Sequence, residues 1–127
     1  FTQTNVPEMI KDLFDETGLS ADDIQRFFFH QPNTFLVKKL AQTLKIPLDR
    51  IPHKTVNEYG NISGASIPHT ICLAHADSPL DQVQRCCLSG FGVGLSWGAA
   101  ITNIGPLKRA EVICKPINES KALRVAT

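Results

Sequence analysis

Three consecutive phenylalanines, Phe27, Phe28 and Phe29, run straight into the polar segment His30-Gln31-Pro32-Asn33. An unbroken apolar triplet cannot alternate between water and core, so it suits a buried strand better than a solvated helix face. Such a strand needs helices packed over it, which places the chain in the α/β class. His30 then falls at the strand's C-terminal end, where open α/β sheets gather their chemistry. With 127 residues, 43% of them hydrophobic, the chain suffices for one domain with one core. Thirteen basic residues against twelve acidic ones make no general case for nucleic-acid binding. No apolar run reaches the roughly 18 residues that a membrane span needs. No basic-then-apolar leader opens the chain, and Phe1 stands where an initiator methionine would be, so we expect a partial chain.

Local patterns set the remaining elements. Val6, Met9, Ile10, Leu13 and Phe14 form a helical stripe over residues 6–17, with Pro7 in the first turn and Gly18 at the stop. Ser20-Ala21-Asp22-Asp23 reads as a capping box opening a short second helix. Residues 33–45 read as a helix with Leu36, Val37, Leu40, Ala41 and Leu44 on one face, ended by Pro47. A short strand is expected at 53–56, a helix at 65–76 with Pro68 in its first turn, and strands at 82–88 and 95–104. Residues 105–127 are polar, mixed in charge and without strong periodicity, and we assign them no function.

Two further segments combine small residues with polar groups at element junctions. One is Tyr59-Gly60-Asn61-Ile62-Ser63-Gly64-Ala65-Ser66-Ile67-Pro68. Gly-Asn alone is a common turn pair, since both residues tolerate positive φ. The small residues that follow go further and let a helix N-terminus pack closely beneath Asn61. The other is Gly90-Phe91-Gly92-Val93-Gly94-Leu95-Ser96-Trp97-Gly98, which in isolation is a tight bend between two strands. A lone histidine at a strand end is likewise more often a satisfied structural residue. It is the three segments in this order that point to a site.

In that order and at those distances, the three segments resemble the C-terminal half of a β-ketoacyl-acyl-carrier-protein synthase III, a condensing enzyme with the thiolase-like fold. The resemblance covers about residues 1–103. It implies an α/β domain with a five-stranded, mostly parallel sheet (an antiparallel edge is compatible) covered by helices, spanning 1–127 as the C-terminal half of a two-domain fold. The N-terminal half, which carries the family's cysteine nucleophile, is expected to lie outside this sequence. The implied activity is acyl transfer followed by decarboxylative condensation with malonyl carrier protein, in fatty acid biosynthesis. His30 and Asn61 correspond to the two donors that stabilise the enolate, a task for which a neutral imidazole and a carboxamide both suffice. The backbone N–H at Val93 corresponds to an oxyanion-hole donor, with Gly92 in the same corner and Phe91 beside the histidine. Gln31, Pro32, Asn33, Thr34 and Phe35 fall in the implied pantetheine or carrier-protein segment, with Lys38 and Lys39 on the adjoining helix. The family often has arginine where this chain has Phe35, and a smaller residue where it has Val93.

Lys38, Lys39, Lys45, Arg50 and Lys54 face only Asp49 in this region, a basic surface suited to steering acidic acyl carrier protein. The bland alternative is a solvated helix face. No cofactor is implied beyond the substrates, acyl-coenzyme A and malonyl carrier protein. The expected partners are acyl carrier protein, the N-terminal half of the same enzyme and a second copy in a homodimer, with no nucleic acid and no membrane. Two rival readings are a coenzyme A-dependent condensing enzyme of secondary metabolism and a non-catalytic thiolase-like binding module. Cys72, Cys86, Cys87 and Cys114 form no C-x-x-C pair and read as reduced, mostly buried thiols of a cytoplasmic protein. His69, Cys72 and His75 do not make a metal site. Steps of three on a helix advance about 300°, which leaves the two histidines about 120° apart.

Overall fold

The computed structural model describes residues 1–76, 80–108 and 110–113. Helix α1 spans Asn5–Thr17, and the chain stops it at Gly18, whose φ of 68° lies in the left-handed region that glycine enters without strain. Ser20 caps the 3-10 turn Ala21–Asp23. There the Asp23 carboxylate accepts from the Ser20 backbone N–H at 2.8 Å and from its hydroxyl at 2.7 Å. Strand β1, Arg26–Phe29, follows. Helix α2, Thr34–Leu44, opens on Asn33, whose side-chain oxygen accepts from the Leu36 N–H at 2.8 Å. Its buried stripe is Val37, Leu40 and Ala41, flanked by half-buried Leu36 and Leu44.

Helix α3, Thr55–Tyr59, replaces the expected strand at 53–56. Ile51 and Thr55 are the residues buried there. Their spacing of four suits one helix face and one strand face alike, so the pattern does not separate the two. Helix α4, Ser66–Ala74, is entered through a 3-10 turn at Ser63–Ala65 and keeps Pro68 within its first turn. Strands β2, Gln84–Gly92, and β3, Ser96–Ile104, form a hairpin around residues 93–95. Gly94 at its tip has φ 103°.

Among the described residues the sheet has three strands in the order β1-β2-β3. The β1–β2 pairing is parallel, with Phe27 opposite Cys87 and Phe29 opposite Ser89. The β2–β3 pairing is antiparallel, with Gly92 opposite Ser96. The sheet is therefore mixed, with β3 as an antiparallel edge, and the described residues hold three of the five expected strands. The segment at 53–56 joined a helix instead, and the fifth strand had rested on the resemblance without an apolar run of its own. Beyond β3, Leu107 exchanges backbone hydrogen bonds with Leu80 at 2.8 and 3.1 Å. Residues 109 and 114–127 of the expected tail, Cys114 included, lie outside the described residues.

Alternation along β1 gives the sheet two different faces. Phe27 and Phe29 enter the main core with Cys87 and Phe91, beneath Val6 and Ile10 of α1 and Val37, Leu40 and Ala41 of α2. Burying each such ring contributes roughly 2–3 kcal/mol. Phe28 points the other way, toward α4, where its ring centroid lies 6.4 Å from that of His75. No described helix is long and apolar enough to cross a membrane.

Candidate active site

Backbone pairing delivers His30 to the site. Its N–H donates to the Ser89 carbonyl at 2.8 Å, extending the β1–β2 ladder one residue past β1 and turning the side chain to the α4 face. There Nδ1 lies 3.0 Å from the Ser66 hydroxyl oxygen, and Ser66 donates to the Ser63 carbonyl at 2.7 Å. The Phe91 ring meets the imidazole edge-on, with centroids 5.4 Å apart and planes at 83°. Burial holds the imidazole below the ordinary histidine value of 6.5, an effect partly offset by the Ser63 carbonyl. Burial thus favours the neutral ring over the imidazolium.

Asn61 is aimed by its own turn. Gly60 has φ 72° and ψ −167°, a backbone region open essentially to glycine alone. This bend lets the Asn61 side-chain oxygen accept from the Ser63 N–H at 2.9 Å. Only an oxygen can accept that bond, so the other end of the amide is NH2 and carries two donors. Ser63 itself has φ 53°, an uncommon conformation for a residue with a side chain.

His30 and Asn61 open onto one cleft of about 510 Å³, closed on its far side by the glycine-rich hairpin. Phe91, Gly92 and Val93 line it, as do Ser96 and Trp97, which the sequence had not singled out as site residues. Val93 sits at the hairpin tip with its side chain 99% exposed, so the valine side chain does not fill the cleft floor. Trp97 is steadied by the Phe1 ring, edge-on at 5.0 Å. Ser66 was visible in the sequence only as one small residue among several. Its position five residues after Asn61, at the first residue of a helix packed under His30, is the signal that marks it.

The implied carrier segment divides. Gln31 is 1% exposed and donates from Nε2 to the Pro52 carbonyl at 2.7 Å. It braces the loop before α3 and is buried away from the surface. Asn33 is spent on the α2 cap, and the Thr34 hydroxyl donates to the Asn57 side-chain oxygen at 2.7 Å. Pro32 is half-buried. Phe35, 70% exposed, and the exposed Lys38 and Lys39 remain as the surface portion.

Cys86 and Cys87 are buried in β2, where burial pushes their thiols up to about 11 and about 12. A neutral thiol at those values is a poor nucleophile. Cys72 is half-buried on α4. No described group of three or more histidine, cysteine or acidic side chains converges as a metal site.

Residues 14–104 match the family described as 3-oxoacyl-[acyl-carrier-protein (ACP)] synthase III C terminal. A β-ketoacyl-[acyl-carrier-protein] synthase III of Streptococcus gordonii is 40% identical over 106 residues, 82% of this chain and 32% of that protein. The enzyme of the same name from Acholeplasma laidlawii is 36% identical over 99 residues, 78% of this chain and 31% of that protein. The crystal structure of a 3-oxoacyl-(acyl-carrier protein) synthase from Burkholderia xenovorans superposes with a TM-score of 0.80 at 37% identity, covering 87% of this chain and 32% of that one. The chain thus spans about a third of the length of the relatives it matches. The family match extends from within the last turns of α1 to the last residue of β3 and takes in every segment of the cleft, and the chain belongs to the C-terminal domain family of the 3-oxoacyl-acyl-carrier-protein synthases III.

Proposed function

We propose that this domain supplies the decarboxylation half of a condensing site in fatty acid biosynthesis. The observation that carries the reading is the Asn61 amide, held by the Ser63 N–H with its NH2 left for the cleft that His30 shares. When a malonyl thioester loses carbon dioxide, the electron pair of the broken bond passes into the thioester as an enolate. A fixed N–H aimed at the enolate oxygen stabilises that charge without reorganisation, and one such donor is worth about 3 kcal/mol. The enolate carbon then attacks an acyl thioester on a cysteine, forming the carbon–carbon bond and expelling the thiolate. The proposed source of that cysteine is another segment of the functional protein: Cys86 and Cys87 are sealed in the sheet, and Cys72 lies half-buried within α4. Acyl carrier protein and acyl-coenzyme A are the proposed partners, in a cytoplasmic homodimer, with Lys38 and Lys39 offering positive charge to the acidic carrier.

The test uses the full-length protein with malonyl carrier protein. Asn61→Ala should abolish most carbon dioxide release while leaving acylation of the nucleophilic cysteine intact. Equal loss of both half-reactions would sink the assignment of this domain to decarboxylation. The present chain, given an acyl thioester, should show no covalent adduct on Cys72, Cys86 or Cys87 by mass spectrometry.

A further inference from the structure

We infer that Tyr59 and His69 are positioning residues, an aromatic clasp that holds the turn from which the Asn61 amide reaches the cleft. The consequence for catalysis rests on the decarboxylation reading, but the geometry stands without it. The two rings meet edge-on, with centroids 4.4 Å apart and planes at 73°. They are the closest ring pair among the described residues. Tyr59 is the last residue of α3, and His69 lies on α4 one turn beyond Ser66. Asn61 stands between them in the chain, so their contact closes residues 59–69 into a loop around it.

Such a loop needs a tie at each end. Its far end is tied by the Ser66 hydroxyl, which donates to the Ser63 carbonyl at 2.7 Å and fixes the entry to α4. Its near end has less support. Helix α3 is five residues long, too short to hold itself. It is anchored at its start, where the Thr55 and Thr70 hydroxyl oxygens lie 3.4 Å apart, and in its middle, where Asn57 accepts from Thr34 at 2.7 Å. The Gly60 N–H donates to the Val56 carbonyl at 2.9 Å, and Asn61 accepts from the Ser63 N–H. Both of these bonds lie within the segment and do not join its near end to α4. Tyr59 makes that join through the His69 ring.

Packing seats His69. Its Nδ1 is buried and has no hydrogen-bond partner among the described residues, so the ring is not aimed by a bond at that nitrogen. Its contact with Tyr59 remains to hold it. Neither residue lines the cleft, so both act through Asn61. Without the clasp, the end of α3 is free to swing on Gly60, whose φ of 72° and ψ of −167° suit a hinge, and the Asn61 amide moves with it.

Hydrogen exchange read by mass spectrometry on the full-length protein tests the clasp without any assay of activity. The Ser63 N–H, covered by the Asn61 oxygen, reports the turn. His69→Ala should speed exchange in a peptide covering residues 60–66 by about tenfold, while His69→Phe, which keeps a ring, should leave it near wild type. Unchanged exchange in His69→Ala, or equal acceleration in both variants, would overturn the inference. If His69→Ala fails to fold, Tyr59→Ala removes the same contact from its more exposed side and should give the same acceleration. Activity then asks whether the clasp acts through Asn61. His69→Ala should lower kcat for malonyl decarboxylation about tenfold, with KM and acylation of the nucleophilic cysteine unchanged, because a small misplacement of a positioned donor is that costly. In an Asn61→Ala background the same change should cost nothing more. A further tenfold loss there would overturn positioning through Asn61. A wild-type protein that releases no carbon dioxide would instead defeat the functional reading and leave the exchange result to judge the clasp.

Discussion

The two faces of the sheet are built from opposite materials. Toward α1 and α2 the buried side chains are phenylalanines and aliphatics, and Cys87 is the sole titratable group in that cluster. Toward α4 the helix itself buries Ser66 and Thr70, with His75 just beyond its end, while Ile67 and Ile71 are only half-covered. A helix that buries its hydroxyls and leaves its aliphatics at the rim is not seated for stability. Its buried hydroxyls are spent on backbone: Ser66 donates to the Ser63 carbonyl of the preceding turn, and Thr70 to the Ser66 carbonyl. Small residues let it come close: a Cβ built on Gly90 would lie 3.9 Å from Ile67 Cδ1, ordinary van der Waals contact. One face holds the fold, and the other trades packing for placement of His30 and Asn61.

The contrast breaks first if the apolar face proves unimportant. Phe29→Ala should destabilise the chain by about 3–5 kcal/mol in urea unfolding, from lost transfer energy plus an unfilled cavity. A loss below about 1 kcal/mol would mean that the face is not the core. The mirror experiment is Asn61→Ala. Its side chain is exposed, so stability should change by no more than about 0.5 kcal/mol. Decarboxylation in the full-length protein should fall by roughly a factor of one hundred or more. Large stability loss with modest activity loss would reverse the roles of the two faces. Between these lies Gly60→Ala. No atom lies within 4 Å of the added Cβ, so the expected loss of about 1–3 kcal/mol is purely conformational, arising from the backbone at φ 72°. A neutral result would show that the turn relaxes and that Asn61 is not held by it.

The apolar face was legible in the sequence, because α1 and α2 carry whole stripes at helical spacing and the phenylalanine triplet admits few placements. The α4 face was legible only in part. His30 and Asn61 stand at junctions that a motif can mark, but the bond between Ser66 and His30 crosses 36 positions, and no local period encodes it. Residues 53–56 failed for a related reason. Four residues hold barely one turn of helix or two alternations of strand, and the burial of Ile51 and Thr55, four positions apart, fits either. Gln31 was drawn into the ligand segment by its place beside His30. Its burial under Pro52 is a tertiary fact, set by a loop twenty-one positions away.

The smallest expected effect separates the faces by pH. Burial lowers both His30 and His75 from the ordinary 6.5, with the Arg26 charge adding to the effect at His75. Both belong to the α4 face. Each folded-state pKa lies below its unfolded value, so as pH falls through about 6.5 the unfolded chain takes up protons first. Stability should therefore be full above pH 7, decline through the interval below 6.5, and level off once the folded pKa values are passed. Asp23 acts in a separate window. The Ser20 hydrogen bonds lower its carboxyl, so its contribution persists down through 3.8 and is lost only below that. The apolar face adds nothing in either window, because Cys87 titrates near 12. Urea midpoints at pH 8, 6 and 5 should fall in that order for the wild type. Replacing His75 by Gln should flatten part of the decline, and Phe29→Ala should lower all three midpoints equally. A wild-type midpoint unchanged between pH 8 and 5 would show that the histidines of the α4 face are solvated, and the physical distinction between the two faces would then reduce to packing alone.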